Sequence, residues 1–218
     1  MRHIWIVGSV VISLLFLCSF ATAESNVSSD NQTAWTGVWQ SLKYYETLTQ
    51  NGKDVSGPYV PFDSSANDIG VINGTISDNA SEISGTWSES GDITLIPSDD
   101  YSTLDAIWAY DDQVEQFKQS DGKNGLDGTW NTTNLTLTLQ LNGSSVSGVY
   151  RSLSATSNVG GYLNGTVSQD SRNVSGTFVE SGNFMFALSE DGSYFNGTYS
   201  YGSDPVKVED TWNAIRLS

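Results

Sequence analysis

GTWNTTNLTLTLQLNGSSVSGVY, residues 128–150, alternates apolar and polar side chains with a period of two. Leu135, Leu137, Leu139 and Leu141 fall on one face, and Thr136, Thr138 and Gln140 on the other, as in an antiparallel strand with one solvated side. Asn142-Gly143 suits a tight hairpin, because both residues tolerate positive φ, and Val146 to Tyr150 opens the next strand. The same period continues downstream. Val174, Gly176 and Phe178 share a face, as do Phe184, Phe186 and Leu188, then Phe195, Gly197, Tyr199 and Tyr201.

This stretch is the second copy of a repeat. Gly37, Trp39, Asn51-Gly52, Val55-Ser56-Gly57 and Tyr59 recur without a gap, 91 positions on, as Gly128, Trp130, Asn142-Gly143, Val146-Ser147-Gly148 and Tyr150. The match continues from Asn73-Gly74-Thr75, Ser84-Gly85-Thr86, Glu89-Ser90-Gly91 and Tyr110 to Asn164-Gly165-Thr166, Ser175-Gly176-Thr177, Glu180-Ser181-Gly182 and Tyr201. Glu-Ser-Gly at 89–91 and 180–182, and Glu190-Asp191-Gly192, read as short hairpin connections with glycine in the left-handed position. In the second copy this places strands near 128–132, 135–141, 145–151, 161–168, 173–180, 183–189, 193–201 and 206–217. The fold class is therefore all-β: two tandem antiparallel meander units of about 90 residues. One up-and-down barrel per unit is expected, because closure removes exposed edges; a sandwich or one sheet shared by both units are the alternatives.

The chain divides into a signal peptide at 1–23, a polar lead-in at 24–34, unit 1 at 35–118, a linker at 119–126 and unit 2 at 127–218. Arg2 and His3 precede the apolar run Ile4–Phe20, and Ala21-Thr22-Ala23 is a small-x-small cleavage site. The competing reading is an uncleaved anchor. Cys18 follows Leu17, too bulky for lipoprotein processing. Unit 1 is the less regular copy: Pro97 replaces Leu188, Tyr101 replaces Gly192, and Asp105-Ala106 replaces Asn196-Gly197.

Cys18 is the only cysteine and His3 the only histidine, and both leave with the leader. The mature chain then has no disulfide, thiol nucleophile, imidazole base or Cys/His metal ligand, and must hold together by core burial. Loss of Arg2 takes the formal net charge from −16 to −17, without clustered Lys or Arg, which argues against nucleic acid and anionic lipid as partners.

The motifs carry two resemblances. Gly128-Thr129-Trp130-Asn131, then Val146 to Ser152, resembles the opening of avidin-like eight-stranded meander barrels. That resemblance implies ligand contacts at Tyr150 and Ser152, with Phe195, Tyr199 and Trp212 near the family's tryptophans. Thr132 stands where the family has asparagine, and Pro61 replaces the serine in unit 1. The repeat, over nearly the whole chain, is also similar to secreted tandem β-repeat proteins of methanogenic archaea, a family without assigned activity.

Candidate ligand-binding residues are the aromatics Tyr59, Trp87, Tyr150, Phe178 and Tyr199, together with Ser152; at strand centres, such aromatics also suit a core. Candidate glycosylation sites are Asn26, Asn31, Asn73, Asn79, Asn131, Asn134, Asn142, Asn164, Asn173 and Asn196, each in Asn-x-Ser/Thr; Asn-Gly turns are the alternative reading of several. Glu89 and Glu180 are the glutamates repeated at equivalent positions. As members of separate units they are expected to lie far apart, at turns, which argues against a glycosidase pair. Asp99-Asp100, Asp111-Asp112, Asp121 with Asn124 and Asp127, and Glu190-Asp191 lack calcium-loop spacing and read as solvated turns, so no metal or cofactor is expected. The sequence thus points to a non-enzymatic secreted or cell-surface protein for extracellular interaction or surface architecture. Its partner would be a glycan, a protein or a small ligand, and it has no membrane span once the leader is removed. A small-ligand or carbohydrate-binding barrel is second, and a carboxylate-dependent glycosidase a distant third.

Overall fold

The computed structural model describes residues 34–62, 69–109, 111–123, 125–202 and 208–218, without the side chains of 111–113. The leader, residues 24–33 of the lead-in, Asn26, Asn31, Tyr110 and Asn124 lie outside the described residues. The described chain is all-β and antiparallel: β1 (Gly37–Gln40), β2 (Tyr44–Asn51), β3 (Asp54–Pro61), β4 (Ile69–Ile76), β5 (Glu82–Pro97), β6 (Thr103–Trp108), β7 (Asp111–Gln119), β8 (Gly128–Asn131), β9 (Leu135–Asn142), β10 (Ser145–Ser152), β11 (Gly160–Val167), β12 (Val174–Leu188), β13 (Tyr194–Tyr201), β14 (Asp210–Thr211) and β15 (Ala214–Arg216). No helix among the described residues is long and apolar enough to cross a membrane.

All the strands join one sheet, and extra pairings of β12 with β5 and β13 close it into two rings of eight. The first ring runs β1–β2–β3–β4–β5–β12–β13–β15; the second runs β5–β6–β7–β8–β9–β10–β11–β12. The rings share only β5 and β12, whose register runs unbroken from Leu95↔Val174 to Glu82↔Ala187. Along β5, β4 pairs with residues 83–90 and β6 with 93–97; along β12, β11 pairs with 174–180 and β13 with 182–188.

The barrels therefore do not coincide with the repeats. The all-β antiparallel class holds, and of the alternatives it is one sheet shared by both units that forms, in place of one barrel per unit: each ring takes four strands and half of a fifth from one repeat, and the remainder from the other. The reason lies at Glu-Ser-Gly, expected to turn the chain. Gly91 and Gly182 do not have positive φ, and β5 and β12 run straight through them. These glycines serve close approach instead. A Cβ on Gly182 would lie 1.7 Å from the Ser200 carbonyl oxygen, and one on Gly91 2.7 Å from the Phe178 ring.

The other hairpins fall where expected, except that Asn51 and Asn142 pair as strand residues and only the glycine of each Asn-Gly has positive φ. Gly52 and Gly143 have φ near +62° and +63° at the first turn position after Asn51 and Asn142, the placement of glycine in type II′ hairpins. A second turn occurs four times, at 77–81, 98–102, 168–172 and 189–193. Serine stands first, Asn or Asp third, and a positive φ fourth, on Ala80, Tyr101, Ser171 and Gly192. Three of the four positive φ values fall on residues with side chains, each strained by a Cβ that glycine lacks.

Each ring encloses its own core. Trp35, Trp39, Leu48, Ile72, Ile83, Phe186 and Phe195 fill the first; Leu95, Leu104, Phe117, Trp130, Leu137, Leu139 and Phe178 fill the second. Leu135 is half-buried, and Leu141, at the hairpin end of β9, is exposed. An eight-stranded barrel is just wide enough for side chains to fill.

Because β5 and β12 belong to both rings, the full chain is expected to unfold in a single calorimetric transition, with calorimetric and van't Hoff enthalpies equal. Residues 127–218 expressed alone should give no folded monomer by circular dichroism and light scattering; a folded monomer would contradict the shared ribbon.

Candidate functional site

The centre of the β5–β12 ribbon carries a pair of facing glutamates. Glu89 faces Glu180, its own repeat counterpart, while Ser90 faces Val179 and Ser88 faces Ser181, so a pseudo-twofold axis passes through the glutamate pair. Directly opposed antiparallel residues have Cα atoms about 4.5–5.5 Å apart, with side chains on the same face. The expectation that these glutamates are distant and at turns is therefore overturned.

Each glutamate is held by a tyrosine reaching across a glycine. In register, Tyr59 faces Gly70, which faces Glu89; Tyr150 faces Gly161, which faces Glu180. A Cβ on Gly70 would sit 1.7 Å from Tyr59 Cζ, and one on Gly161 2.7 Å from Tyr150 Oη. With no Cβ in the way, the ring lies over the intervening strand and its hydroxyl reaches the next one. Tyr150 Oη donates to Glu180 Oε1 at 2.5 Å, and the Tyr59 hydroxyl is bonded to Glu89. Burial pushes the Glu180 carboxyl above its ordinary 4.5, opposed by hydrogen bonds from Tyr150 and Tyr201. Burial and the Glu89 charge push the Tyr59 phenol up strongly.

Five of the six ligand-binding candidates converge here. Trp87 is buried, donates Nε1–H to the Ser200 carbonyl at 3.1 Å, and meets Tyr201 and Tyr199 edge-on at 5.0 and 6.0 Å. Phe178, its repeat counterpart, packs edge-on against Trp108 in the second ring, as does Tyr150. Tyr199 is half-buried, its phenol raised to about 12 by burial and then by Asp210, Glu209, Glu180 and Glu89. Ser152 is not brought in: its Oγ accepts the Ser154 amide in the loop after β10. Phe195, Tyr199 and Trp212, which the avidin resemblance groups with Tyr150 and Ser152, lie in the first ring, while Tyr150 lies in the second.

Residues that the sequence reading passed over complete the first-ring side. Glu46, on β2 opposite Tyr59, is 0 % exposed; its Oε1 accepts Trp212 Nε1–H at 2.9 Å, and its Oε2 is buried without a hydrogen-bond partner. Burial raises this carboxyl too, against the pull of Ser41 and Trp212. Tyr59, its partner in register, and Trp212, its donor, pack with Tyr44 in mutual edge and tilted ring contacts at 5.0, 5.1 and 6.4 Å. The signal was present in the sequence: Glu46 shares a face with Tyr44 and Leu48, and its counterpart in the second repeat is Leu137.

The acidic turn residues are committed elsewhere. Asp100 Oδ1 accepts from the Ser98 and Ser102 hydroxyls and the Ser102 amide, which hold it down to about 2; Asp191 is held likewise by Ser189 and Ser193. Asp121 accepts the Thr129 amide and lies 3.9 Å from Lys123, which is 3.5 Å from Asp127.

No protein-family model matches the chain, and neither a curated protein nor a solved structure matches it.

Two sets of carboxylates give stability opposite pH slopes. Glu46 and Glu180, raised from 4.5, contribute fully below that value and lose their contribution as pH rises through the folded pKa. Asp100 and Asp191, lowered from 3.8 to about 2, contribute above 3.8 and lose it as pH falls, with their exposure weakening the effect. Urea melts across pH should therefore peak near about pH 4 rather than at neutrality, and Glu180→Gln should flatten the decline above the peak. Tyr150→Phe should cost about 1–3 kcal/mol in the same assay, by leaving a buried carboxyl short of a donor.

Proposed function

We propose that this is a non-enzymatic, secreted or cell-surface protein whose fused barrels present their outer faces for extracellular interaction or surface architecture. The observation that supports it most is the division between inside and outside. The interiors are packed with rings and aliphatic chains, while Asn73, Asn79, Asn134, Asn142, Asn164 and Asn196 all stand exposed. Asn173 is half-buried, and Asn131 has its Oδ1 buried without a partner. A shallow depression on the first barrel, lined by Asp54, Val55, Asn73, Thr75, Ser84 and Thr86, lies over the facing Gly74–Gly85 pair.

Glu89 and Glu180 face each other across the ribbon, but Glu180 is 5 % exposed and accepts the Tyr150 hydroxyl, which argues against a glycosidase pair. Small-ligand binding at the seam is the second reading. Its support is the convergence of Tyr59, Trp87, Tyr150 and Tyr199 with carboxylates, where tryptophan and tyrosine rings meet buried charge.

Glycopeptide mapping of protein purified from its source tests the leading reading. Glycan is expected on several of the six exposed asparagines and on neither Asn131 nor Asn173. Bare asparagines throughout would remove the main support for a glycosylated surface role.

A further inference from the structure

We infer that the first barrel holds a binding site for an organic cation, an ammonium group seated among the rings of Tyr44, Tyr59 and Trp212 against the carboxylate of Glu46. This rests on the second reading, that the seam binds a small ligand, and names the chemistry it would take.

The physical case starts from Glu46. A carboxylate with no exposure is among the most costly groups a small core can hold, unless it is paired or fully hydrogen-bonded. Trp212 donates to Oε1 and Ser41 lends a further pull toward the charged form, while Oε2 has no partner. No lysine or arginine forms an ion pair with Glu46 among the described residues. The fold does not require it. At the corresponding position of the second barrel Leu137 does the packing, and beside it Leu135 stands where the first barrel has Tyr44. The first barrel has thus exchanged two leucines for a carboxylate and a tyrosine at one spot. Of the buried polar atoms without a partner among the described residues, Glu46 Oε2 is the one that belongs to an acidic side chain, the kind whose burial costs most without a counter-charge.

The surroundings select the class of that partner. Calcium takes six to eight oxygens, whereas Glu46 faces rings, and no three acidic side chains among the described residues are grouped to hold a metal. Tyrosine and tryptophan faces attract ammonium groups, and more strongly where water is excluded. This barrel already uses the contact at its far end, where the Arg216 guanidinium lies 4.2 Å from the Trp39 ring. Glu89, Glu180, Glu209 and Asp210 all act on nearby Tyr199, so the field over the region is negative. Tyr44 is the half-buried member of the three rings, so a ligand would enter from its side.

The test is titration calorimetry and tryptophan fluorescence with choline and n-butylammonium, against the neutral analogues 3,3-dimethyl-1-butanol and n-butanol at constant ionic strength. At least one cation should bind saturably, about tenfold or more tighter than its neutral analogue. Glu46→Gln keeps an oxygen for the Trp212 indole, so it should lose about tenfold in cation affinity with no fall in melting temperature. Neutral analogues binding as tightly as the cations, or undiminished binding by Glu46→Gln, would overturn the cation site while leaving a ligand-binding seam. If none of the four probes binds, and native mass spectrometry of protein from its source shows no bound molecule, both ideas fall together.

Discussion

The antiparallel pairing of β5 with β12 is the constraint on which the rest depends. It is the one contact made along the full length of both long strands, and each end of it is walled by a different set of neighbours. Remove it, and neither ring closes. Both barrels lie on the same face of this ribbon, because Ile83, Trp87, Glu89, Ile93 and Leu95 keep one alternation from end to end, matched by Val174, Phe178, Glu180, Phe184 and Phe186. A one-residue slip would turn every one of those side chains outward. A two-residue slip would preserve the faces but separate Glu89 from Glu180, and so part the two rows in which Tyr59 and Tyr150 cross glycine, each row lying within one repeat. The polar groups at the axis thus define the register that the apolar groups then stabilise.

Local pattern was legible where the interaction is local. The leucine alternation at 135–141, the glycine at each Asn-Gly turn and the absence of helical period all correspond to observed strands and hairpins. The closure was not, because it depends on residues 82–95 meeting 174–187, and nothing within either segment announces the other. Glu-Ser-Gly has the composition of a turn. What makes it strand is a carbonyl oxygen at Gly182 and an aromatic ring at Gly91, both contributed by other strands. The aromatics chosen from the sequence do assemble, but mainly as buried wall. Ser152 was carried by likeness alone, and it caps a loop.

The two repeats have diverged in what they place inside the barrels. Trp87 against Phe178 and Glu46 against Leu137 leave the register of the sheet intact, whereas Trp108 stands at a register shift between β6 and β7 that its counterpart Tyr199 lacks. Irregularity expected of the first repeat is shared between the barrels instead. Pro97 ends β5 within the second ring, and Tyr101 carries its positive φ in a turn beside that core.

The straight β5 competes with a bent one. Were the chain to turn at Ser90-Gly91, the first repeat could close on itself, with nearly the same neighbours inside each barrel. The local contacts of the two arrangements are similar, so the choice falls to what only one of them contains: the continuous ribbon, on which the two Tyr–Gly–Glu rows meet. Those rows involve buried carboxyls, costly on their own, yet each is hydrogen-bonded, and an unswapped barrel would have to bury or expose the same glutamates without the opposing strand.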